Sequence, residues 1–155
     1  MMLGAEQAVA HDRLDDALRL APALGPELFN KIIDRGGTRL RVLRQSGKAF
    51  RIDRLIEAGA WTEAALALIE LEIPAWKVRR LVCENGEWLC SLSRQLSVPI
   101  ELDDNVEASH EVLALAVLRA LVEARQRSIV APGTIAAVPK VRPTSAGWIC
   151  CDNFA

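Results

Sequence analysis

The clearest pattern of apolar and polar positions lies in the segment 76–94, where two short runs rich in β-forming residues flank Asn85-Gly86. Asn-Gly between two such runs favours a type I′ turn, because that turn needs positive φ angles at both of its central residues. The pattern therefore predicts a β-hairpin over residues 76–94 that turns at Asn85-Gly86.

The register of this hairpin follows from its two-residue turn, which places Glu84 opposite Glu87. Side chains alternate between the two faces of a strand, and one of the two faces is clearly the more apolar. Its members are Arg79, Leu81, Cys83, Trp88, Cys90 and Leu92. We expect this face to pack against helices, because a two-stranded hairpin is only marginally stable by itself.

Apolar residues at helical spacing predict a helix on either side of the hairpin. Residues 62–71 leave little polar surface, which is typical of a helix that is mostly buried. Residues 109–126 form the longest periodic run, with Ser109 as the expected N-cap. Shorter helical runs come earlier, near residues 11–21, 26–36 and 52–58. The fold class predicted is α+β, with short N-terminal helices, a small antiparallel sheet, the buried helix 62–71 and the long closing helix 109–126.

The segment 38–53 admits two interpretations. The residues from Arg39 to Val42 alternate between basic and apolar, as a half-buried strand would, and Ser46-Gly47 is a plausible turn. These observations favour a second hairpin, with Leu40, Val42, Phe50 and Ile52 as its apolar contacts. The alternative is a basic loop.

The chain divides by pattern into three parts. Residues 1–50 form an N-terminal helical and basic extension, residues 51–127 carry the α-β-β-α pattern, and residues 128–155 contain three prolines and two glycines without a usable period. We interpret this last segment as an extended or disordered tail.

The middle part resembles a known family. Its helix, its tryptophan-led hairpin AWKVRRLVCENGEWLCSL and the later helix LALAVLRAL follow one another as in the small α-β-α domains called the phage ABA sandwich. The same layout is similar to that of proteins from rhizobial-type bacteria. The resemblance covers roughly residues 51–127. It implies a fold in a bacterial protein and implies no catalytic residues, substrate or cofactor.

Charge is distributed unevenly along the chain. The net charge is −1, yet residues 31–54 carry eight Lys or Arg residues against Asp34 and Asp53, a local charge of +6. Phosphate groups need several cations at similar spacing, so this segment predicts possible nucleic-acid contacts. The residues concerned are Arg39, Arg41, Arg44, Lys48 and Arg51. The alternative is an edge strand that its charges keep from aggregating.

The four cysteines suggest a second kind of site. Cys83 and Cys90 lie diagonally on one face of the predicted hairpin, too far apart for an easy disulfide. A zinc site would need Cys150, Cys151 or His110 to complete it, and neither the spacing between Cys83 and Cys90 nor a vicinal pair is typical of zinc ligands. The alternative is that the two hairpin thiols behave as small buried apolar groups.

His110 is the remaining candidate for catalysis. It lies at the start of the predicted helix 109–126, close to several carboxylates, where a general base is one interpretation and a first-turn surface histidine is the favoured one. The sequence has no P-loop, no dinucleotide fingerprint and no nucleophile elbow. We therefore predict no cofactor and no enzymatic activity.

The function indicated by these patterns is that of an interaction module. Its partner is an unidentified protein or a second copy of the chain. The alternatives are a nucleic-acid-associated accessory protein that uses residues 31–54, and a thiol- or metal-dependent activity of the cysteines. The N-terminus lacks the basic region and apolar run of a signal peptide, and no apolar run is long enough to span a membrane. A cytoplasmic location is expected.

Overall fold

The computed structural model describes residues 3–130, which form six helices around a three-stranded antiparallel sheet. The α+β fold class predicted from sequence is thus confirmed. In chain order the elements are α1 (Leu3–Leu20), α2 (Pro26–Gly36), α3 (Thr38–Gln45), α4 (Phe50–Glu57), α5 (Trp61–Glu72), β1 (Lys77–Glu84), β2 (Glu87–Ser93), β3 (Asn105–His110) and α6 (Leu113–Val130).

The predicted hairpin is confirmed in both its turn and its register. Asn85 and Gly86 have φ angles of 53° and 82°, as a type I′ turn requires. Glu84 is opposite Glu87, and the pairing continues along β1 and β2 to a bulge at Arg79. The bulge leaves Arg80 as the first residue of the regular part of β1.

The sheet has a third strand that the sequence analysis did not predict. β3 pairs antiparallel with β2, so the strand order is β1-β2-β3. Ser109 and His110, which were expected to open the closing helix, are the last residues of this strand. The correction has a physical reason: Val106 and His110 are buried while Glu107 between them is exposed, which is the two-residue period of a strand.

The closing helix is therefore displaced from its predicted range of 109–126. It begins at Leu113 and runs to Val130, three residues into the segment 128–155 that was predicted to be a tail. The rest of that segment lies outside the described residues. The predicted buried helix 62–71 is confirmed as α5, which is one residue longer at each end.

The hairpin predicted over residues 38–53 is wrong, because this segment forms the two helices α3 and α4. Gly47 has a φ angle of +69° and ends α3 rather than turning a hairpin. Its N–H donates to the carbonyl of Arg44, and the N–H of Lys48 donates to the carbonyl of Leu43. These two bonds form the Schellman motif, which satisfies the last carbonyls of a helix.

A single cluster of buried side chains joins the helices to the sheet. α6 packs against β2 and β3, and it also contacts α1 and α5. On the sheet the cluster includes Cys90 and Leu92, with Leu81 and Trp88 partly buried at its border, so the predicted apolar face is confirmed for these four residues, whereas Cys83 is exposed. The cluster also extends into the N-terminal helices, through Leu14, Leu18, Phe29 and Ile32.

The opposite face of the sheet is charged at its surface. Arg80, Glu84 and Glu107 are exposed there, whereas Ser91 and Ser93 are buried between longer neighbours. Within residues 3–130, none of the helices has the length and apolar character needed to cross a lipid bilayer.

Candidate functional site

The two edges of the sheet differ in how they are covered. α6 lies along the β3 edge, and two of its arginines reach backbone carbonyls of that strand. Arg119 donates from Nη1 to the carbonyl of Ser109 at 2.6 Å, and Arg127 donates from Nη1 to the carbonyl of Asn105. A further strand could use these two carbonyls only by displacing both guanidinium groups, and in this sense we call the β3 edge closed, although the N–H and C=O of Glu107 between them also point outward.

The direction of the backbone groups of β1 follows from the hairpin turn. In a two-residue hairpin the residues that flank the turn form a hydrogen-bonded pair, and such pairs alternate along an antiparallel ladder. Glu84 and Val82 therefore bond to β2. Leu81 precedes Val82, and Cys83 lies between Val82 and Glu84. Both Leu81 and Cys83 therefore direct their N–H and C=O groups away from β2.

These outward groups of β1 form an open edge. In the part of the chain that the structure describes, no side chain or loop hydrogen-bonds to the backbone of Leu81 or Cys83. α6 packs on β2 and β3, and the main neighbour of β1 is β2. Unpaired N–H and C=O groups in a row are a template for an added strand. We call the segment Arg80–Glu84 the β1 edge.

The loop between β2 and β3 is fastened to the start of β1. Arg79, at the bulge, donates from Nη1 to Oδ2 of Asp103 at 2.8 Å and from Nη2 to the carbonyl of Val98 at 3.0 Å. The carboxylate of Asp103 has no exposed surface and also accepts from the N–H of Gln95. A paired, hydrogen-bonded charge in this position holds the loop beside β1.

This loop presents apolar side chains to solvent. Leu96, Ile100 and Leu102 are all exposed, Leu102 by 75%. Val78, the neighbour of Arg79 in β1, is also exposed. Single exposed apolar residues are ordinary, but several in one fastened loop next to an open strand are typical of a contact surface. We call these four residues the loop patch.

The buried position of Asp103 makes the stability of the protein depend on pH. A hydrogen bond from Ser93 lowers the pKa of Asp103 below its ordinary value of 3.8, and Gln95 and Arg79 act in the same direction, while burial opposes them. A lowered pKa stabilises the fold above the ordinary value, and this stabilisation is lost as pH falls further. We expect Asp103→Asn to reduce the free energy of unfolding near neutral pH, and the difference from wild type to shrink below pH 3.8.

Urea unfolding at a series of pH values measures this effect. Asp104→Asn is the matched control, because the ion pairs that the Asp104 carboxylate makes within residues 3–130, with Arg94 and Arg127, are exposed. Such pairs contribute about 1 kcal/mol or less. A difference between wild type and Asp103→Asn that stays constant from neutral pH to well below 3.8 would contradict this assignment of the ionised carboxylate.

The arginines predicted to bind nucleic acid have partners within the chain. Arg39 donates to the carbonyl of Leu71, and Arg41 donates to the carbonyl of Asp34. Arg44 makes two hydrogen bonds to Oδ1 of Asp53, at 2.9 and 2.7 Å. These three side chains link α3 to neighbouring elements.

The other two predicted residues are both exposed. Lys48 lies between α3 and α4, and Arg51 lies in the first turn of α4. The basic segment also contains a cation–π contact, in which the guanidinium of Arg54 lies 4.7 Å from the ring centroid of Phe50. The alternative of a charged edge strand is wrong, because the segment is helical. Binding of nucleic acid through the five residues stays a prediction.

The two hairpin cysteines have different surroundings. Cys83 is an exposed free thiol and Cys90 is a buried one. Burial raises the pKa of Cys90 to about 12, so this thiol is neutral at physiological pH. Cys150 and Cys151 lie outside the described residues. Within residues 3–130, no group of three or more His, Cys, Asp or Glu side chains could hold a metal ion. The four-cysteine metal site stays a prediction.

These surroundings lead to an expected labelling pattern. A thiol reagent such as iodoacetamide should modify Cys83 in the folded protein, whereas Cys90 should react only after denaturation, because the thiolate is the nucleophile. Peptide mass spectrometry of labelled protein distinguishes the two positions. Equal labelling of Cys83 and Cys90 in native buffer would show that β2 is not packed as described.

His110 is not the surface histidine that sequence favoured. It ends β3 with 8% of its surface exposed, and its Nδ1 accepts a hydrogen bond from the N–H of Val112 at 2.8 Å. The side chain thereby satisfies a backbone donor where the chain leaves the strand to enter α6. This hydrogen bond gives His110 a structural role at the junction between β3 and α6.

A shallow cavity of about 380 Å³ lies where α5 and α6 begin. Its lining includes Trp61, Thr62 and Glu63 from α5 and Leu113 from α6. Among the described residues no side chain caps the N-terminus of α5, so its first backbone N–H groups lie beside this cavity without a capping side chain. Glu63 supplies negative charge beside them.

The residues that set the two edges apart were missed by the sequence analysis. Arg119 and Arg127 look like ordinary polar positions of a long helix. The sequence signal that could have led to them is the alternation of apolar and polar residues in 105–110, which is typical of a strand and would have identified β3. When residues 105–110 are recognised as a strand, Arg119 and Arg127 of the following helix lie beside its outer edge.

No protein-family model, curated protein or solved structure matches this chain. The resemblance to the phage ABA sandwich stays an expectation. The geometry of the sheet edges and the loop patch is therefore the basis for assigning a function.

Proposed function

We propose that this chain is a protein-interaction module that binds an extended segment of its partner along the β1 edge. The observation that carries the proposal is the difference between the two edges: Arg119 and Arg127 bond to outward carbonyls of β3, while within residues 3–130 the outward backbone groups of Leu81 and Cys83 in β1 have no hydrogen-bond partner. Adding a strand to such an edge is a common mode of peptide recognition, with main-chain hydrogen bonds as the basis of affinity.

The surroundings of β1 support this mode of binding. The ion pair between Arg79 and Asp103 holds the loop patch next to the start of the strand. A strand added at the β1 edge would leave the loop patch free to contact the rest of its partner. Apolar contacts of this kind supply the specificity and area that backbone bonds alone do not provide.

Proline substitution tests the proposal with little change to the fold. Cys83→Pro removes an N–H that points away from β2, so the bonds between β1 and β2 remain. Glu107→Pro is the matched control, because by the same alternation the N–H of Glu107 points outward from β3. Circular dichroism and urea unfolding should show both variants folded, since edge strands tolerate proline where the N–H faces solvent.

The readout is the set of proteins, including copies of the chain itself, that each full-length variant retains from a cell lysate. We expect Cys83→Pro to lose partners that wild type and Glu107→Pro both keep. If wild type and Cys83→Pro retain the same proteins, binding along the β1 edge is excluded.

A further inference from the structure

We infer that the segment paired with the β1 edge is the β1 edge of a second copy of this chain, running antiparallel, with Val82 opposite Val82. This inference rests on the proposed function and names the partner. It would make one continuous sheet from the three strands of each copy.

The hydrogen-bonding pattern of β1 fits this register. When Val82 lies on the twofold axis, Leu81 of one copy is opposite Cys83 of the other. These are the residues whose N–H and C=O groups point away from β2, so they form the hydrogen-bonded pairs. Val82 directs its own backbone groups toward β2 and forms the closely spaced pair without hydrogen bonds at the axis.

The charges of the β1 edge select the same register. With Val82 on the axis, Arg80 of each copy is opposite Glu84 of the other. Within one chain these two exposed side chains form an ion pair at 3.0 Å, and the dimer would replace the one pair in each chain with two pairs across the axis. Opposite charges directly across a sheet are stabilising, and like charges are destabilising.

The neighbouring registers lack this complementarity. An axis at Arg80 or at Glu84 brings like charges together. An axis at Leu81 places Glu84 opposite Val78, and an axis at Cys83 places Glu84 opposite Val82. Neither of these two registers pairs Arg80 with an acidic residue.

The shape of the strand supports the same centre. The bulge at Arg79 interrupts the pairing on one side, and the turn at Asn85 ends the strand on the other. The regular segment between them, Arg80–Glu84, is symmetric about Val82. The β1 edge can therefore pair with a copy of itself without either bulge lying inside the new ladder.

The closed β3 edges explain why assembly would stop at two copies. For the strands that the structure describes, the outer edges of such a dimer are its two β3 strands, and Arg119 and Arg127 of the same chain bond to carbonyls of each. An isologous contact about a twofold axis is complete with two partners. A dimer rather than a fibre is expected.

Light scattering after size exclusion, over a wide range of protein concentration, measures the assembly. We expect wild type to pass from monomer to dimer as concentration rises. Arg80→Glu or Glu84→Arg alone should raise the dissociation constant about tenfold or more, because each places two like-charged pairs across the axis. The double variant Arg80→Glu/Glu84→Arg should restore the dimer.

Disulfide trapping tests the register directly. In a Cys83→Ser background, Val82→Cys should form a covalent dimer on mild oxidation, because directly opposite residues of a closely spaced pair have Cβ atoms about 4.5–5.5 Å apart. Arg80→Cys in the same background is the control, because each introduced cysteine would lie opposite Glu84 of the other copy and not opposite another cysteine. The Cys83→Ser chain alone measures any contribution from the remaining cysteines.

The outcomes separate this inference from the proposed function. A chain that stays monomeric while Cys83→Pro still loses a captured partner overturns the second-copy inference and leaves the interaction module standing. A dimer that neither charge reversal weakens, and that Val82→Cys does not trap, forms through another surface and also overturns the inference. If the chain is a monomer and Cys83→Pro loses no captured partner, both the second-copy inference and the proposed function are overturned.

Discussion

Trp76→Ala should lower the free energy of unfolding by about 4 kcal/mol, the loss typical of truncating a large buried aromatic side chain. Only 1% of Trp76 is exposed, at the point where the chain passes from α5 into β1. Its Nε1 donates to Oγ of Ser128 at 3.1 Å, and the guanidinium of Arg94 lies 5.5 Å from its ring centroid. The indole thus joins the last turns of α6 to the base of the hairpin.

Urea unfolding followed by circular dichroism measures this loss without relying on the fluorescence of the deleted residue. Ser128→Ala is the control, because it leaves the indole in place and removes the hydroxyl that accepts from it, which also donates to the carbonyl of Ala124. That change should cost about 1–3 kcal/mol, the range for leaving a buried donor unpaired. If the free energy of unfolding of Trp76→Ala lies within about 1 kcal/mol of the wild-type value, the packing of α6 against the hairpin base is not as described.

Glu72→Ala is expected to be the second largest change, at about 3 kcal/mol, because Glu72 has two roles. Its carboxylate caps α3 from outside the helix, accepting from the N–H of Leu40 at 2.7 Å and from the N–H of Arg39 at 3.2 Å. It is also the charge that faces Arg125. Burial lowers the pKa of that guanidinium and Glu72 opposes the effect, while Nη2 of Arg125 is buried and has no hydrogen-bond partner among residues 3–130.

The amide variant separates these two roles. Glu72→Gln keeps an acceptor for the N–H groups of α3 and removes only the charge, so its loss of stability should fall between wild type and Glu72→Ala. Urea unfolding of the three proteins gives the comparison. Equal stability of wild type and Glu72→Ala would mean that α3 does not depend on this cap.

The sequence predicted those elements of the fold whose structure is determined by contacts between residues close in the chain. The hairpin was predictable because Asn85-Gly86 determines its own turn, and the turn then fixes the register. The helices α3 and α4 were not, because the alternation from Arg39 to Val42 is too short to distinguish a strand from a helix. Their helical form depends on the burial of Leu40 and on the chain reversal at Gly47.

The third strand was missed for a related reason. Ser109 before an apolar run is a plausible N-cap, and that local signal competed with the weak alternation in 105–110. Pairing with β2 decides the outcome, because it buries Val106 on the core face of the sheet. A strand that depends on a partner already in place leaves only a faint pattern in its own residues.

The candidate site was the least predictable part. Whether a strand lies at an edge depends on strand order, which no single segment encodes. Arg119 and Arg127 acquire their role only when α6 lies along β3, and the pairing of Arg79 with Asp103 joins residues on either side of β2. The basic segment 31–54 was conspicuous in sequence, yet several of its arginines are engaged in contacts between helices.

Residue-resolved amide exchange along β1 reports whether the outward backbone groups of Leu81 and Cys83 are free to bind a second strand. In dilute protein, the amides of Leu81 and Cys83 should exchange quickly and that of Val82 slowly, because only the last is bonded to β2. At higher concentration, the amides of Leu81 and Cys83 should become protected as a second copy binds. If both amides are protected even in the most dilute sample, the β1 edge is already covered within the chain and is not a binding edge.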